Sequence, residues 1–175
     1  RFKPLYEEDA PLTRVVPAVA ARYAERYKGY RLKQLCDEMH SFYRERNVKE
    51  LQRLSFRYES FPEQAMSARA AVQATVAGEV DYVPMREVRG RIAGTLALIY
   101  PPGIGIVVPG ERYDERAQPM IDYFLAFEES CNRFPGFSYE VQGVYQEPER
   151  DGVRFYTYVV KERKGRKRRS SPSGL

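Results

Sequence analysis

Arg89-Gly90-Arg91-Ile92-Ala93-Gly94-Thr95-Leu96-Ala97-Leu98-Ile99-Tyr100-Pro101-Pro102-Gly103-Ile104-Gly105-Ile106-Val107-Val108-Pro109-Gly110-Glu111 divides the chain into a part that reads as helix and a part that reads as sheet. Two apolar runs, Ile92 to Ile99 and Ile104 to Val108, flank Tyr100-Pro101-Pro102-Gly103. Each run has the length of a strand covered on both faces, the prolines forbid helix, and the glycines permit sharp reversals. The expected course is strand, rigid corner, strand, and a Pro109-Gly110 turn that presents Glu111. A proline corner loses little conformational freedom on binding, which makes it a candidate site, although most such corners only turn the chain. Gly103 and Gly105 do not make a dinucleotide fingerprint, because Val108 stands where the third glycine is required.

Upstream, residues 1 to 11 read as an irregular, proline-punctuated linker. Leu12 to Tyr27 reads as one helix carrying Val15, Val16, Val19, Ala20, Tyr23 and Tyr27 on one side, with Pro17 near its start and Gly29 after its end. Leu32, Leu35, Cys36, Met39, Phe42 and Tyr43 repeat at helical spacing, and Leu51, Leu54 and Ser55 extend the pattern into a third helix near Val48 to Tyr58. Ser67 is placed to cap a fourth, Ala68 to Ala77, closed by Gly78. Downstream, Val80 to Val83 alternates as a short strand, and Asp114 to Phe134 carries a wide apolar stripe of a long packed helix. Tyr139, Val141, Gly143 and Tyr145 alternate along one strand, and Val153, Phe155, Thr157 and Val159 along another. Glu147 to Gly152 is expected to join these two as a C-terminal hairpin. A helical half followed by antiparallel strands is an α+β fold in one domain, residues 12 to 160.

The chain has 175 residues, 43% hydrophobic, and a net charge of +5. Lys161 to Arg169 holds seven basic residues and one acid, so this stretch accounts for +6 and the remaining body is close to neutral. Residues 161 to 175 are expected to be a disordered basic tail. Nucleic acid is not the expected partner of so neutral a body. No run reaches the roughly 18 apolar residues of a membrane span, and the N-terminus lacks a signal-peptide pattern. Cys36 and Cys131 read as reduced core residues of a cytoplasmic protein. The first residue is not methionine, so the chain reads as a piece of something longer.

Catalytic groups are scarce. His40 is the single histidine, and with Cys36 it would supply only two ligands of a metal site, so no metal is expected. Glu7-Glu8 and Glu128-Glu129 are adjacent pairs that point apart on a helix. Glu128 falls within the apolar stripe and needs a partner among Arg86, Arg89 and Arg91. Fourteen tyrosines supply amphipathic contact area, which suits a domain that docks onto another.

The motif Tyr100-Pro101-Pro102-Gly103-Ile104, Pro109-Gly110-Glu111, Gly90-Arg91-Ile92, Phe134-Pro135-Gly136-Phe137 and Gln142-Gly143-Val144-Tyr145 resembles the C-terminal domain of the bacterial ornithine/lysine/arginine decarboxylases. Glu25-Arg26-Tyr27, Gln34-Leu35-Cys36, Glu38-Met39-His40 and Asn47-Val48-Lys49 look most like the ornithine-specific members. The resemblance implies a fold-type-I parent that uses pyridoxal phosphate, converting ornithine to putrescine and CO2, or in the alternative lysine to cadaverine. It implies that residues 1 to 11 arrive from a catalytic core, that the domain packs on that core and on a dimer partner in a homo-oligomer, and that Tyr100, Pro101, Pro102, Gly103 and Glu111 help wall the substrate entrance. Family members hold the cofactor on a lysine within Ser-x-His-Lys. Here Ser41 follows His40, so this chain is expected to bind no cofactor and to catalyse nothing alone. Glu111 then either attracts the distal ammonium of the diamino acid or serves its own turn. The competing class is a non-catalytic binding module whose basic tail meets acidic partners.

Overall fold

The computed structural model describes residues 2–100, 103–137 and 140–162. Its N-terminal half is helical: α1 (Phe2–Glu7), α2 (Leu12–Val15), α3 (Pro17–Arg22), α4 (Ala24–Tyr27), α5 (Leu32–Glu45) and α6 (Val48–Ser55), followed by α7 (Ala68–Val76). The segment read as an irregular linker therefore contains a helix, with Pro4 inside its first turn where a missing N–H costs nothing. It is joined to the body by Leu12 N–H to Tyr30 O and Leu32 N–H to Ala10 O, at 3.0 and 2.9 Å.

The single helix expected over 12–27 is three. Val16 sits at φ −137°, ψ 65°, because the residue before a proline is pushed out of the helical region, and Pro17 then starts α3. A second break falls at Tyr23. The α5 and α6 helices follow their apolar periodicity, with Asn47 turning the chain between them at φ 51°, a conformation asparagine tolerates. The α6 helix stops at Ser55, three residues short of the expected end, and Tyr58–Ser60 forms a separate 3₁₀ turn. Ser67 caps α7 as expected, accepting from Ala70 N–H at 3.3 Å.

The sheet half has β1 (Val80–Pro84), β2 (Ile92–Ala93), β3 (Ala97–Tyr100), β4 (Ile104–Val107), β5 (Glu140–Gln142), β6 (Tyr145–Glu149) and β7 (Gly152–Val160), with the long helix α8 (Gln118–Arg133) after β4. The strands form two antiparallel sheets. In the first, β7 is central and pairs with β1, β2 and β6; in the second, β3 lies between β4 and β5. The apolar run 92–99 is thus not one strand. Ile92 and Ala93 pair with Val160 and Val159 in the first sheet, whereas Ala97 to Tyr100 belong to the second. The run read over 139–145 splits likewise, β5 joining the second sheet and β6 the first. Tyr139 itself lies outside the described residues.

The two crossings touch. Gly143 has φ 73°, and a Cβ there would stand 1.8 Å from Leu96 O, so only glycine fits. Thr157 Oγ1 donates to Gly143 O at 2.8 Å from the inner face of β7. The hairpin between β6 and β7 is tighter than expected: Glu149 pairs with Gly152, leaving Arg150 and Asp151 as the turn, and Pro148 is tolerated because β6 is an edge strand.

The main core gathers α8 (Met120, Ile121, Phe124, Phe127) with Met85, Val88, Val107, Tyr113, Phe155 and Val159. A second cluster, Leu12, Tyr27, Leu32, Leu35, Phe42 and Phe134, closes the helical half against the end of α8. No helix among the described residues is long and apolar enough to cross a membrane. Of the basic tail, Lys161 and Glu162 are described: Lys161 N–H donates to Glu79 O at 3.0 Å, and Arg112 donates to Glu162 at 2.6 Å. Residues 163–175 lie outside the described residues.

Candidate functional site

The expected site has two parts, and the fold puts them at opposite ends of one strand. Ile104 pairs with Ile99 at the corner end, Gly103 enters at φ 78°, and Tyr100 pairs through its backbone with Glu140. Pro101 and Pro102 lie outside the described residues. From Gly103, extended β4 carries the chain away at roughly 3.3 Å per residue, so Val108 stands about 16 Å from the corner.

At that far end, Val108 to Glu111 is a closed turn. Glu111 N–H donates to Val108 O at 3.1 Å, and Val108 N–H donates to Glu111 Oε2 at 2.8 Å. Gly110 O accepts from both Ala65 and Met66 N–H, at 3.0 and 3.2 Å, while Gly110 N–H reaches Ala93 O at 2.8 Å. At φ 91°, and with Met66 O 2.3 Å from where a Cβ would be, Gly110 admits no side chain. The turn therefore fastens loop 63–66 to the start of the first sheet. Burial pushes the Glu111 carboxyl above its ordinary range, the Val108 N–H draws it back, and the Asp114 charge adds to the rise. In this geometry one Glu111 carboxylate oxygen is engaged within its own turn.

Asp114, which sequence reasoning treated only as a helix boundary, does more. Its Oδ1 accepts from Arg116 and Ala117 N–H at 3.0 and 3.2 Å, capping the 3₁₀ turn Glu115–Ala117 that leads into α8, and its Oδ2 accepts from Glu63 N–H at 3.0 Å. Burial opposes ionisation, yet these backbone donors and Arg116 hold the carboxyl below its usual range.

Glu128 is 7% exposed and has the expected kind of partner: Arg86 donates to Oε1 at 2.9 Å, and Phe155 N–H donates to Oε2 at 2.7 Å. Arg91 pairs instead with Asp81 at 2.5 Å, and Arg89 with Gln118. Both Glu128 oxygens are thus engaged, Oε2 holding α8 to β7 and Oε1 holding it to the 3₁₀ turn Met85–Glu87, which is a structural employment. His40 is exposed, Cys36 and Cys131 form no disulfide, and no cluster able to hold a metal occurs among the described residues.

A lysine that carries pyridoxal phosphate must lose its proton, which calls for an enclosed environment. Among the described residues Lys3, Lys28, Lys49 and Lys161 are exposed, and half-buried Lys33 points its Nζ at Glu7 O, 3.3 Å away, beside the Tyr6 ring. These residues do not fit the cofactor.

A family model described as the Orn/Lys/Arg decarboxylase C-terminal domain matches residues 49–161. The chain belongs to this family. Over 162 residues it is 48% identical to the constitutive ornithine decarboxylase of Escherichia coli, covering 92% of the chain and 22% of that enzyme. It is 42% identical to the ornithine decarboxylase of Haemophilus influenzae over 91% of the chain and 22% of that enzyme. Lysine decarboxylase A from Pseudomonas aeruginosa superposes with a TM-score of 0.82 at 34% identity, over 91% of this chain and 21% of that one. The chain thus spans about a fifth of the length of the Orn/Lys/Arg decarboxylases it matches.

One feature of this family member was not assembled by sequence reasoning. Tyr82, Tyr145, Tyr156 and Tyr158, separated in sequence, meet on the outer face of the first sheet with ring centroids 4.8–5.9 Å apart. The available signal was the alternation in β7, where Tyr156 and Tyr158 oppose the fully buried Phe155, Thr157 and Val159.

Proposed function

We propose that the chain is the C-terminal domain of a pyridoxal-phosphate-dependent ornithine decarboxylase and contributes structure and part of the substrate entrance rather than catalytic groups. The observation that carries this reading is the grading of identity: 48%, 45% and 42% to three ornithine decarboxylases, against 37% and 26% to lysine decarboxylases and 30% to an arginine decarboxylase. The cofactor, bound by the rest of the parent, supplies the electron sink for loss of CO2. What this chain supplies is the strand β4 that leads from Gly103, on the entrance side, to a closed turn at 108–111, and a packed body that docks on the catalytic core within a homo-oligomer.

The full-length parent, assayed for CO2 release, is expected to prefer ornithine over lysine. Borohydride trapping on the present chain is expected to leave no lysine carrying a pyridoxyl group. Preference for lysine would move the assignment to the neighbouring substrate, and a pyridoxyl-lysine in this chain would overturn the division of labour.

A further inference from the structure

The outer face of the first sheet is covered at one end and bare at the other. Over Ile92 and Val160, α7 lays down Ala71 and Ala74. Beyond them the sheet presents Tyr158, Tyr82, Tyr156 and Tyr145, in the register Tyr82 to Tyr158 on one side of β7 and Tyr145 to Tyr156 on the other. Tyr82 is 39% exposed and Tyr145 44%, although the rings pack on one another.

Solvent-facing positions of an antiparallel sheet are ordinarily polar, and a contiguous set of four aromatic rings is unusual there. Tyrosine concentrates instead at the centres of protein interfaces. The face is also preorganised. Tyr82 Oη donates to Glu147 Oε1 at 2.6 Å and Tyr156 Oη to Glu149 Oε1 at 2.8 Å, so the rings are held before any partner arrives. Its charge is negative: Glu147, Glu149 and Glu87 all lie close to Tyr156, and of these Glu149 is paired with Arg154 at 2.7 Å. The hydrogen bond to Glu149, with partial desolvation and these neighbouring charges, keeps the Tyr156 phenol above its ordinary range. Aromatic faces rimmed by carboxylates suit guanidinium and ammonium groups, through cation–π contact and ion pairing together.

We propose that this tyrosine face is where the domain docks on the catalytic part of its own polypeptide, against a surface that presents arginine or lysine side chains. The proposal rests on the domain reading above. Relatives carry nearly four-fifths of their length outside the matched region, and that length supplies the occupant. Charge complementarity selects a cationic patch of it.

The test is hydroxyl-radical footprinting of the native full-length enzyme, with the urea-unfolded enzyme as the reference for each tyrosine. Tyr82 and Tyr145 are expected to react at least about tenfold more slowly in the native enzyme, as at the dry centre of an interface. In Glu147→Lys, with circular dichroism showing an unchanged fold, both are expected to regain reactivity. Reactivity in the wild type in keeping with their 39% and 44% exposure overturns the proposal. So does protection indifferent to the charge reversal, or protection that disappears on dilution to single chains, which would make a second copy the occupant. Ornithine turnover by the same preparation reads the functional assignment separately: an active enzyme with reactive tyrosines sinks only the docking face, and an inactive one with protected tyrosines sinks only the activity.

Discussion

Gly29 and Gly143 have nearly the same backbone conformation, φ 75° and 73°, and opposite surroundings. A Cβ on Gly29, between α4 and α5, would meet nothing within 4 Å; on Gly143, where the chain passes between sheets, it would stand 1.8 Å from Leu96 O and 2.8 Å from Leu96 C. The helical half reverses direction at breaks in a helix, and glycine is used there for its dihedral freedom alone. The sheet half reverses by pressing two crossings against each other, and glycine is used for space as well. The first position is tolerant of change and the second is not, because backbone cannot rotate out of the way as a side chain can.

Substituting these glycines is the direct way to break the comparison. Gly143→Ala is expected to cost about 3 kcal/mol or more, since left-handed strain adds to a backbone collision, and to show as loss of the folded chain on denaturant titration. Equal tolerance at both glycines would mean that the crossing can spread. Next in size comes Glu128→Leu, which leaves Phe155 N–H without its acceptor and Arg86 without its partner. A loss of roughly 2–4 kcal/mol is expected, with the half-exposed Arg86 keeping the value at the lower end. Gly29→Ala should cost only about 1 kcal/mol, left-handed strain offset in part by a less flexible unfolded chain.

That contrast also explains what could be read from the residues beforehand. Helices α5 to α8 follow from apolar spacing and local caps, which are properties of neighbouring residues: Ser67 ahead of α7 and Asn47 after α5 sit where the chain must turn. The break at Val16 is also local, and follows from Pro17 once its effect on the preceding residue is weighed. The division of 92–99 and 139–145 between two sheets is not local. Periodicity reports that a run is buried but not which strand covers it, and the close approach of Gly143 to Leu96 that accompanies the switch is between residues far apart in sequence. The site shows the same limit. Tyr100 to Gly103 and Glu111 look like one constellation because they are close in sequence, yet β4 separates them. The four tyrosines look unrelated, yet the pairing of β1, β6 and β7 assembles them.

The smallest effect sharpens the comparison by its sign. Two partly buried carboxylates, one in each half, are perturbed in opposite directions. At Glu38, burial opposes ionisation, but Arg26 at 2.9 Å, the Tyr30 hydroxyl at 2.8 Å and Gln34 prevail, and the pKa is lowered. At Glu111, burial prevails over the single Val108 N–H and the pKa is raised. A lowered folded-state pKa contributes stability present above the unfolded value of about 4.5 and lost as pH falls through the folded one. A raised pKa contributes stability present below about 4.5 and lost as pH rises through the folded value. Glu38→Gln should therefore lower the melting temperature near neutrality and lose that effect in acid. Glu111→Gln, whose amide oxygen still accepts from Val108, should be neutral to stabilising by up to about 1 kcal/mol at pH 7, with the difference fading toward pH 4. On the proposed function, the same variant in the full-length parent should leave the KM for ornithine unchanged. A raised KM without a change in melting temperature would mean that the carboxylate leaves its turn to meet the substrate ammonium.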